Sequence, residues 1–184
     1  RSDRDWSSDV CSSDLGEVSD GVGVGIMSSV EFVRDIVRPN AQAGAEAAGR
    51  DPQALRFPTA ATVSVNRDVE AARNASRAAI CKLYHPIPHP YYDSQLRQMG
   101  FAEFADQATR LMPAGKLREA MALVPDEVVD RMTITGNVEQ CARRIEAYVG
   151  VADELILART GQRKDTGTMA DYEDLLQLIS ESAE

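Results

Sequence analysis

Apolar positions along the chain follow two periods. Three short runs, Ser19–Gly25 (SDGVGVG), Phe57–Val65 and Leu155–Ala158 (LILA), concentrate Val, Thr, Leu and Ile and read as strands, the first and third as buried ones. Between them the spacing is helical. Ser28 to Glu31 fits a capping box, and Val30, Val33, Val37, Ala41, Gly44 and Ala48 form one stripe interrupted by Pro39, which is predicted to kink or split the helix. Gly49 is placed to stop it, ahead of the polar turn Arg50-Asp51-Pro52. Asn66-Arg67-Asp68 turns the chain after the second run, and Asp68 caps a helix from Val69 to about Leu83. The three prolines of His85–Pro90 exclude a helix there, so a loop is expected. Two or three helices are expected between Tyr91 and Met132, broken near Pro113 and Pro125. Asn137 and Gln140 open another helix, with an apolar face of Val138, Cys141, Ala142, Ile145, Tyr148 and Val149. Arg159-Thr160-Gly161 ends the third run, and Asp171 to Ser180 forms the last helix.

Strand, helix, strand, long helical insertion, helix, strand, helix is an α/β order, which implies parallel strands joined by right-handed crossovers. Three strands are too few for a stable parallel sheet with both faces covered, and too few to close a barrel, so the chain reads as a piece. Composition narrows the partners. A net charge of -9 argues against nucleic acid and anionic membrane surfaces, and no apolar run reaches the ~20 residues of a spanning helix. Cys11, Cys81 and Cys141 fit neither a disulfide framework nor a zinc pattern, and are expected as small buried thiols in a reducing cytoplasm. Residues 1–15, rich in Ser and Asp, carry the only Trp and show no period. Asp5–Leu15 (DWSSDVCSSDL) resembles the in-frame translation of a sequencing-library adapter. Residues 1–15 are therefore expected to be foreign and disordered, with the natural sequence beginning near Gly16 and continuing to 184 as a single domain portion.

Four blocks, Glu17–Val22 (EVSDGV), Gly44–Pro52 (GAEAAGRDP), Val65–Arg73 (VNRDVEAAR) and Gly136–Leu157, occur in the order and at the spacing of the luciferase-like monooxygenase family. The chain most resembles its coenzyme F420-dependent branch, which includes methylenetetrahydromethanopterin reductase-like enzymes. The resemblance implies the C-terminal part, about strands six to eight, of an incomplete (β/α)8 TIM-type barrel. It further implies hydride transfer between coenzyme F420, or alternatively FMN, and a small organic substrate, in a parent that is a candidate homodimer. The fragment itself is expected to be inactive. The competing reading is a non-catalytic α/β binding module, complete as it stands. A Rossmann-type piece is disfavoured, because Gly23-x-Gly25-x-x-Ser28 misses the last glycine of the dinucleotide fingerprint and lacks its acidic partner.

Barrel enzymes gather functional groups just past the C-terminal ends of their strands. Gly25, Ile26, Met27 and Ser28 follow the first run: the glycine admits a ligand close to the backbone, and a helix start offers amides to a cofactor phosphate. Glycines that only relieve crowding are the structural alternative. Arg159 and Thr160 follow the third run, where a guanidinium can pair with an anion. Asn66 is expected to shape a turn. His85 and His89, the only histidines, share the proline loop with Tyr84 and precede Tyr91 and Tyr92; without Cys or carboxylate partners they define no metal site. By the resemblance this loop can cover the substrate pocket, with Tyr84 and His85 on the substrate side. Asp126, Glu127 and Asp130 read as a solvated helix start. No catalytic nucleophile or base is assigned, since hydride transfer leaves the chemistry to the cofactor.

Overall fold

The computed structural model describes residues 8–159 and 168–182. The elements run α1 (Ser8–Val18), α2 (Val30–Phe32), a π-helical turn (Val33–Val37), α3 (Arg38–Ala47), a 3-10 turn (Pro52–Ala54), β1 (Pro58–Val65), α4 (Val69–Lys82), α5 (Pro90–Gln98), α6 (Ala102–Leu111), α7 (Leu117–Leu123), α8 (Asp126–Met132), β2 (Thr133–Gly136), α9 (Val138–Glu146), β3 (Glu154–Arg159) and α10 (Met169–Ser182). The insertion between residues 90 and 132 thus holds four helices where two or three were expected, and it delivers a strand, β2, that apolar periodicity did not single out.

β1 is the hub of a parallel sheet in the order β2-β1-β3. One edge takes β3, from Pro58↔Glu154 to Val63↔Arg159. The other edge is shared. Its C-terminal half takes β2, from Thr62↔Thr133 to Val65↔Gly136, and its N-terminal half takes residues 20–26. Those residues lie parallel to β1 through Arg56 N to Asp20 O (3.0 Å), Val22 N to Arg56 O (2.8 Å), Val24 N to Pro58 O (2.9 Å), Ala60 N to Val24 O (3.1 Å) and Thr62 N to Ile26 O (2.8 Å). The expected first strand is therefore an irregular one, held by isolated bridges. It is not buried on both faces: Val22 and Val24 are buried and Gly23 is exposed. Nor is the third run a fully buried strand, because Ile156 stands 51% exposed on the outer strand β3.

Side chains alternate across the sheet. Phe57, Ala61, Val63 and Val65, with Ile134, Leu155 and Leu157, enter a core with Val33, Val37, Ala41 and Ala45 from the long helix, Cys141 of α9 and Leu175 of α10. Thr62, Ser64, Thr133 and Thr135 belong to the opposite face, where Ser76 Oγ of α4 meets Thr135 Oγ1 at 2.6 Å. A second core of Ile80, Cys81, Tyr84, Leu96, Phe104, Ala108, Val128 and Met132 knits the insertion together. Helices thus lie on both faces of this small sheet.

Local signals explain most boundaries. Asp68 Oδ1 accepts from Glu70 N and Ala71 N at 3.1 Å, capping α4. Asn137 and Gln140 form the reciprocal capping box, both bonds 2.9 Å. Gly49 sits at φ +73° and closes α3 in a Schellman motif, with Arg50 N on Ala45 O (2.8 Å) and Gly49 N on Glu46 O (3.0 Å). The helix after the first run is capped by Ser29, not Ser28: Ser29 Oγ accepts from Phe32 N at 3.1 Å, while Ser28 Oγ is taken by Tyr91 Oη at 2.8 Å. Pro39 does not break that helix. The wider π-helical turn just before it changes the hydrogen-bond register and accommodates a residue with no N–H to give. Ala48 leaves the predicted stripe and is exposed, Ala45 being buried in its place; likewise Val149 is 80% exposed beyond the end of α9.

Residues 8–15 are helical, so α1 runs across the expected boundary at Gly16 and crosses α3 at close range. A Cβ on Gly16 would collide with the Ala41 carbonyl, and one on Gly44 with the Ser13 carbonyl. The Trp6 position lies outside the described residues. Two arginines then fasten the N-terminal ends of the strands. Arg50 donates to Gly16 O (3.0 Å), Ser19 O (2.5 Å) and Asp20 Oδ1 (2.8 Å), joining the GRDP turn to the EVSDGV block. Arg38 donates to Val151 O (2.7 Å) above the Phe57 ring, while Asp153 Oδ2 accepts from Phe57 N (2.6 Å). The Asp20 carboxylate is fully exposed, so that ion pair adds little and the carbonyl bonds matter more. Arg50→Met is expected to lower stability by about 2 kcal/mol, measured by urea denaturation. Arg50→Lys should recover only a minor part, since an ammonium cannot span three acceptors as a guanidinium does.

Candidate functional site

The C-terminal ends of residues 20–26, β1 and β3 lie on one side of the sheet, as parallel pairing requires. Gly25 opens this end. A Cβ there would lie 2.5 Å from Tyr92 Oη, so the absent side chain makes room for a tyrosine of α5. Ile26 is 44% exposed at the tip of the turn. Met27 is buried in the second core, and Ser28 is buried against Tyr91. Of the amides expected at this helix start, Ser29 N is already bonded to Gln95 Oε1 at 2.9 Å. Asn66 shapes the turn after β1, its Oδ1 accepting from Asp68 N at 2.9 Å. Arg159 ends β3, exposed, with its guanidinium 4.8 Å from the Tyr172 ring centre and Nη1 3.4 Å from Met169 Sδ. Thr160, expected beside it, lies outside the described residues.

The proline loop divides its residues between core and cavity. Tyr84 is 1% exposed and donates to Asp93 Oδ1 at 3.1 Å. Burial, then the Asp93 charge, raises its phenol far above the usual range. His85 is exposed at the loop's start. His89, Pro90, Tyr91 and Tyr92 instead line a cavity of about 490 Å³ with Ser12, Leu15, Val22, Gly23, Val24, Gly25 and Val37. Its walls are mostly apolar and its size falls among small-molecule pockets. His89 and Tyr92 pack with ring centres 4.9 Å apart, and Tyr91 meets Tyr92 edge-on at 5.0 Å. A Cβ on Gly23 would meet nothing within 4 Å, so this backbone is open beside the cavity. Tyr84 and His85, expected on the substrate side, thus lie in the second core and at the exposed start of the loop, and His89, Tyr91 and Tyr92 line the cavity beside the glycine run.

Gln95 escaped the sequence reading. It shares a helical face with Tyr92 and Leu96, so a glutamine at a core position was the available signal. Elsewhere, Arg73 and Arg77 of α4 bind Asp126, with Asp130 and Glu70 completing the ion-pair group. Both arginines hold their protons more tightly than usual: burial opposes the charge, but the carboxylate bonds outweigh it. Asp126 is pulled down by its bonds from Arg73 and Arg77. That acidic helix start is thus the partner of two arginines and not only a solvated end. Among the described residues, no helix is long and apolar enough to cross a membrane, and no group of three His, Cys, Asp or Glu could hold a metal ion.

A small parallel α/β sheet with a ligand-sized cavity at the open edge of its glycine run is the class that fold and site define. The luciferase-like monooxygenase family matches residues 12–154, and the chain belongs to that family. It is 26% identical over 149 residues to a 5,10-methylenetetrahydromethanopterin reductase of Methanolobus tindarius, covering 78% of this chain and 43% of that protein. It is 24% identical over 153 residues to the enzyme of that name from Methanopyrus kandleri, covering 82% and 42%. Its fold is similar to that of the coenzyme F420-dependent tetrahydromethanopterin reductase of Methanopyrus kandleri, with TM-score 0.69, 20% identity, and 91% and 46% of the two chains covered. An F420-dependent secondary alcohol dehydrogenase solved with an F420-acetone adduct gives TM-score 0.58 at 17% identity, over 83% and 41%. The chain spans less than half the length of each of these proteins.

Cys81 and Cys141 are free and buried, and burial pushes both thiols up to about 12. The unfolded thiols ionise near 8.5. Between about pH 8.5 and 12 the unfolded chain therefore loses protons that the folded chain keeps, and stability falls as pH rises. Ellman's reagent at pH 8 should leave both thiols unmodified in the native chain and label them in urea; prompt labelling of either under native conditions contradicts their placement.

Proposed function

We propose that this chain is the C-terminal part, about strands six to eight, of a (β/α)8 barrel oxidoreductase that moves a hydride between coenzyme F420 and a small organic molecule. The observation that carries this reading is the lateral order of residues 20–26, β1 and β3: adjacent, parallel and in chain order, as consecutive strands of such a barrel are. Family membership and the similarity to F420-dependent enzymes support it. The parent's activity requires the remaining strands, and the chain alone is read as inactive.

The residues present suit such a cofactor in two respects. His89, Tyr91 and Tyr92 set aromatic groups beside Gly23, which favour a flat ring, and the exposed backbone of Gly23 permits close approach. Arg159, one strand beyond β1, carries a cation that suits an anionic group, and Thr160 follows it in sequence. When bound, coenzyme F420 supplies the hydride chemistry. The chain's own contribution is positional: Gly25 and Ile26 form the rim of the turn, Met27 and Ser28 support it from below, and Tyr84 anchors the loop that carries His85 and His89.

Two measurements test this. Reading the source gene across the codons before Gly16 should reveal uninterrupted coding sequence for about half a barrel. A frame that starts with residues 1–15 would favour a small binding module instead. The protein carrying both halves should then bind coenzyme F420 at least tenfold more tightly than FMN, followed by the absorbance change of each cofactor. The reverse preference moves the chain to the flavin-dependent branch.

A further inference from the structure

Three side chains of α5 converge on the turn after the glycine run. Gln95 is fully buried and makes two bonds to the backbone of that turn: its Oε1 accepts from Ser29 N (2.9 Å) and its Nε2 donates to Met27 O (3.1 Å). One turn earlier on the same helix, Tyr91 Oη pairs with Ser28 Oγ at 2.8 Å, and Tyr92 Oη occupies the space a side chain at Gly25 would need. Residues 27, 28 and 29 are thus each bonded from one helix, which also packs close to Gly25. Tyr91 and Gln95 lie 63 to 68 positions away from Ser28, Met27 and Ser29. A buried amide that satisfies both a donor and an acceptor of a loop fixes its shape far more narrowly than apolar packing does, because any other loop conformation leaves two buried backbone groups unpaired.

We propose that Gln95 is a positioning residue: through Met27 and Ser29 it sets the geometry of the Gly25–Ser29 turn, so that the helical insertion following one strand shapes the ligand-facing end of its neighbour. Tyr91 is its auxiliary, and together they keep Ile26 presented at the tip. The bearing of this on a ligand rests on the barrel reading above; the positioning itself does not.

The test uses the full chain with Gln95→Met, which keeps length and removes both bonds, and Tyr91→Phe, which removes only the hydroxyl pair. Amide hydrogen exchange is read at Ser29 and, as an internal reference, at Val63 of β1. Gln95→Met should speed Ser29 exchange at least tenfold with Val63 unchanged, and Tyr91→Phe should give a smaller rise confined to the same turn. No change at Ser29 overturns the proposal. So does an equal rise at Ser29 and Val63, which would make Gln95 an ordinary core residue. In the protein carrying both halves, Gln95→Met should also weaken coenzyme F420 binding at least tenfold, with Tyr91→Phe intermediate. If exchange at the turn rises but the wild type binds no coenzyme F420, the positioning stands and the cofactor reading fails. If the wild type binds and Gln95→Met binds equally well, the turn's shape does not serve the ligand and that half of the proposal is overturned.

Discussion

Parallel pairing obliges β1 to spend its backbone donors and acceptors on neighbours along both edges, since a buried unpaired peptide group is expensive. One edge is satisfied by β3 alone. The other is divided between residues 20–26 and β2, and the handover occurs at Thr62, which donates to Ile26 O from its backbone and from its side chain (2.7 Å) and is also the first partner of β2. The glycine run, the exit of the helical insertion and the central strand are therefore fixed at one residue. The candidate site lies where it does because that junction leaves the turn after Ile26 projecting past the sheet.

The two ends of the sheet are held by different chemistry. At the N-terminal ends, Arg50 and Arg38 collect main-chain carbonyls and carboxylates. At the C-terminal end of the glycine run the fastening is neutral: a buried amide, tyrosine hydroxyls and close aromatic packing. In (β/α) barrels the first kind of end serves stability and the second serves ligands. Arg159 stands at the end of β3, beside the ring of Tyr172.

How much of this was legible in the sequence varied with the range of the interactions. Features decided within a few residues were read correctly: the caps at Asp68 and at Asn137 with Gln140, the stop at Gly49, the turn at Asn66, and the family blocks, two of which turn out to be tied together through Arg50 and Asp20. Features decided by distant partners were not. Ser28 and Ser29 are equivalent as caps until Tyr91 claims the first of them. Within the proline loop, Asp93 and the second core hold Tyr84, and the residues that line the cavity come four to seven positions after His85, a division that local sequence does not show. β2 was hidden because four residues with two threonines carry no apolar alternation to read.

The hold of α5 on the turn after the glycine run also bears on how the molecule assembles. Contacts of such long sequence separation require a large loop to close before they give anything back, and they form late relative to helices and local turns. During synthesis, then, Gly25–Ser29 leaves the ribosome long before Gln95 exists to receive it. The turn acquires its shape only when the insertion docks, so the end of the glycine run is among the last parts of the chain to mature.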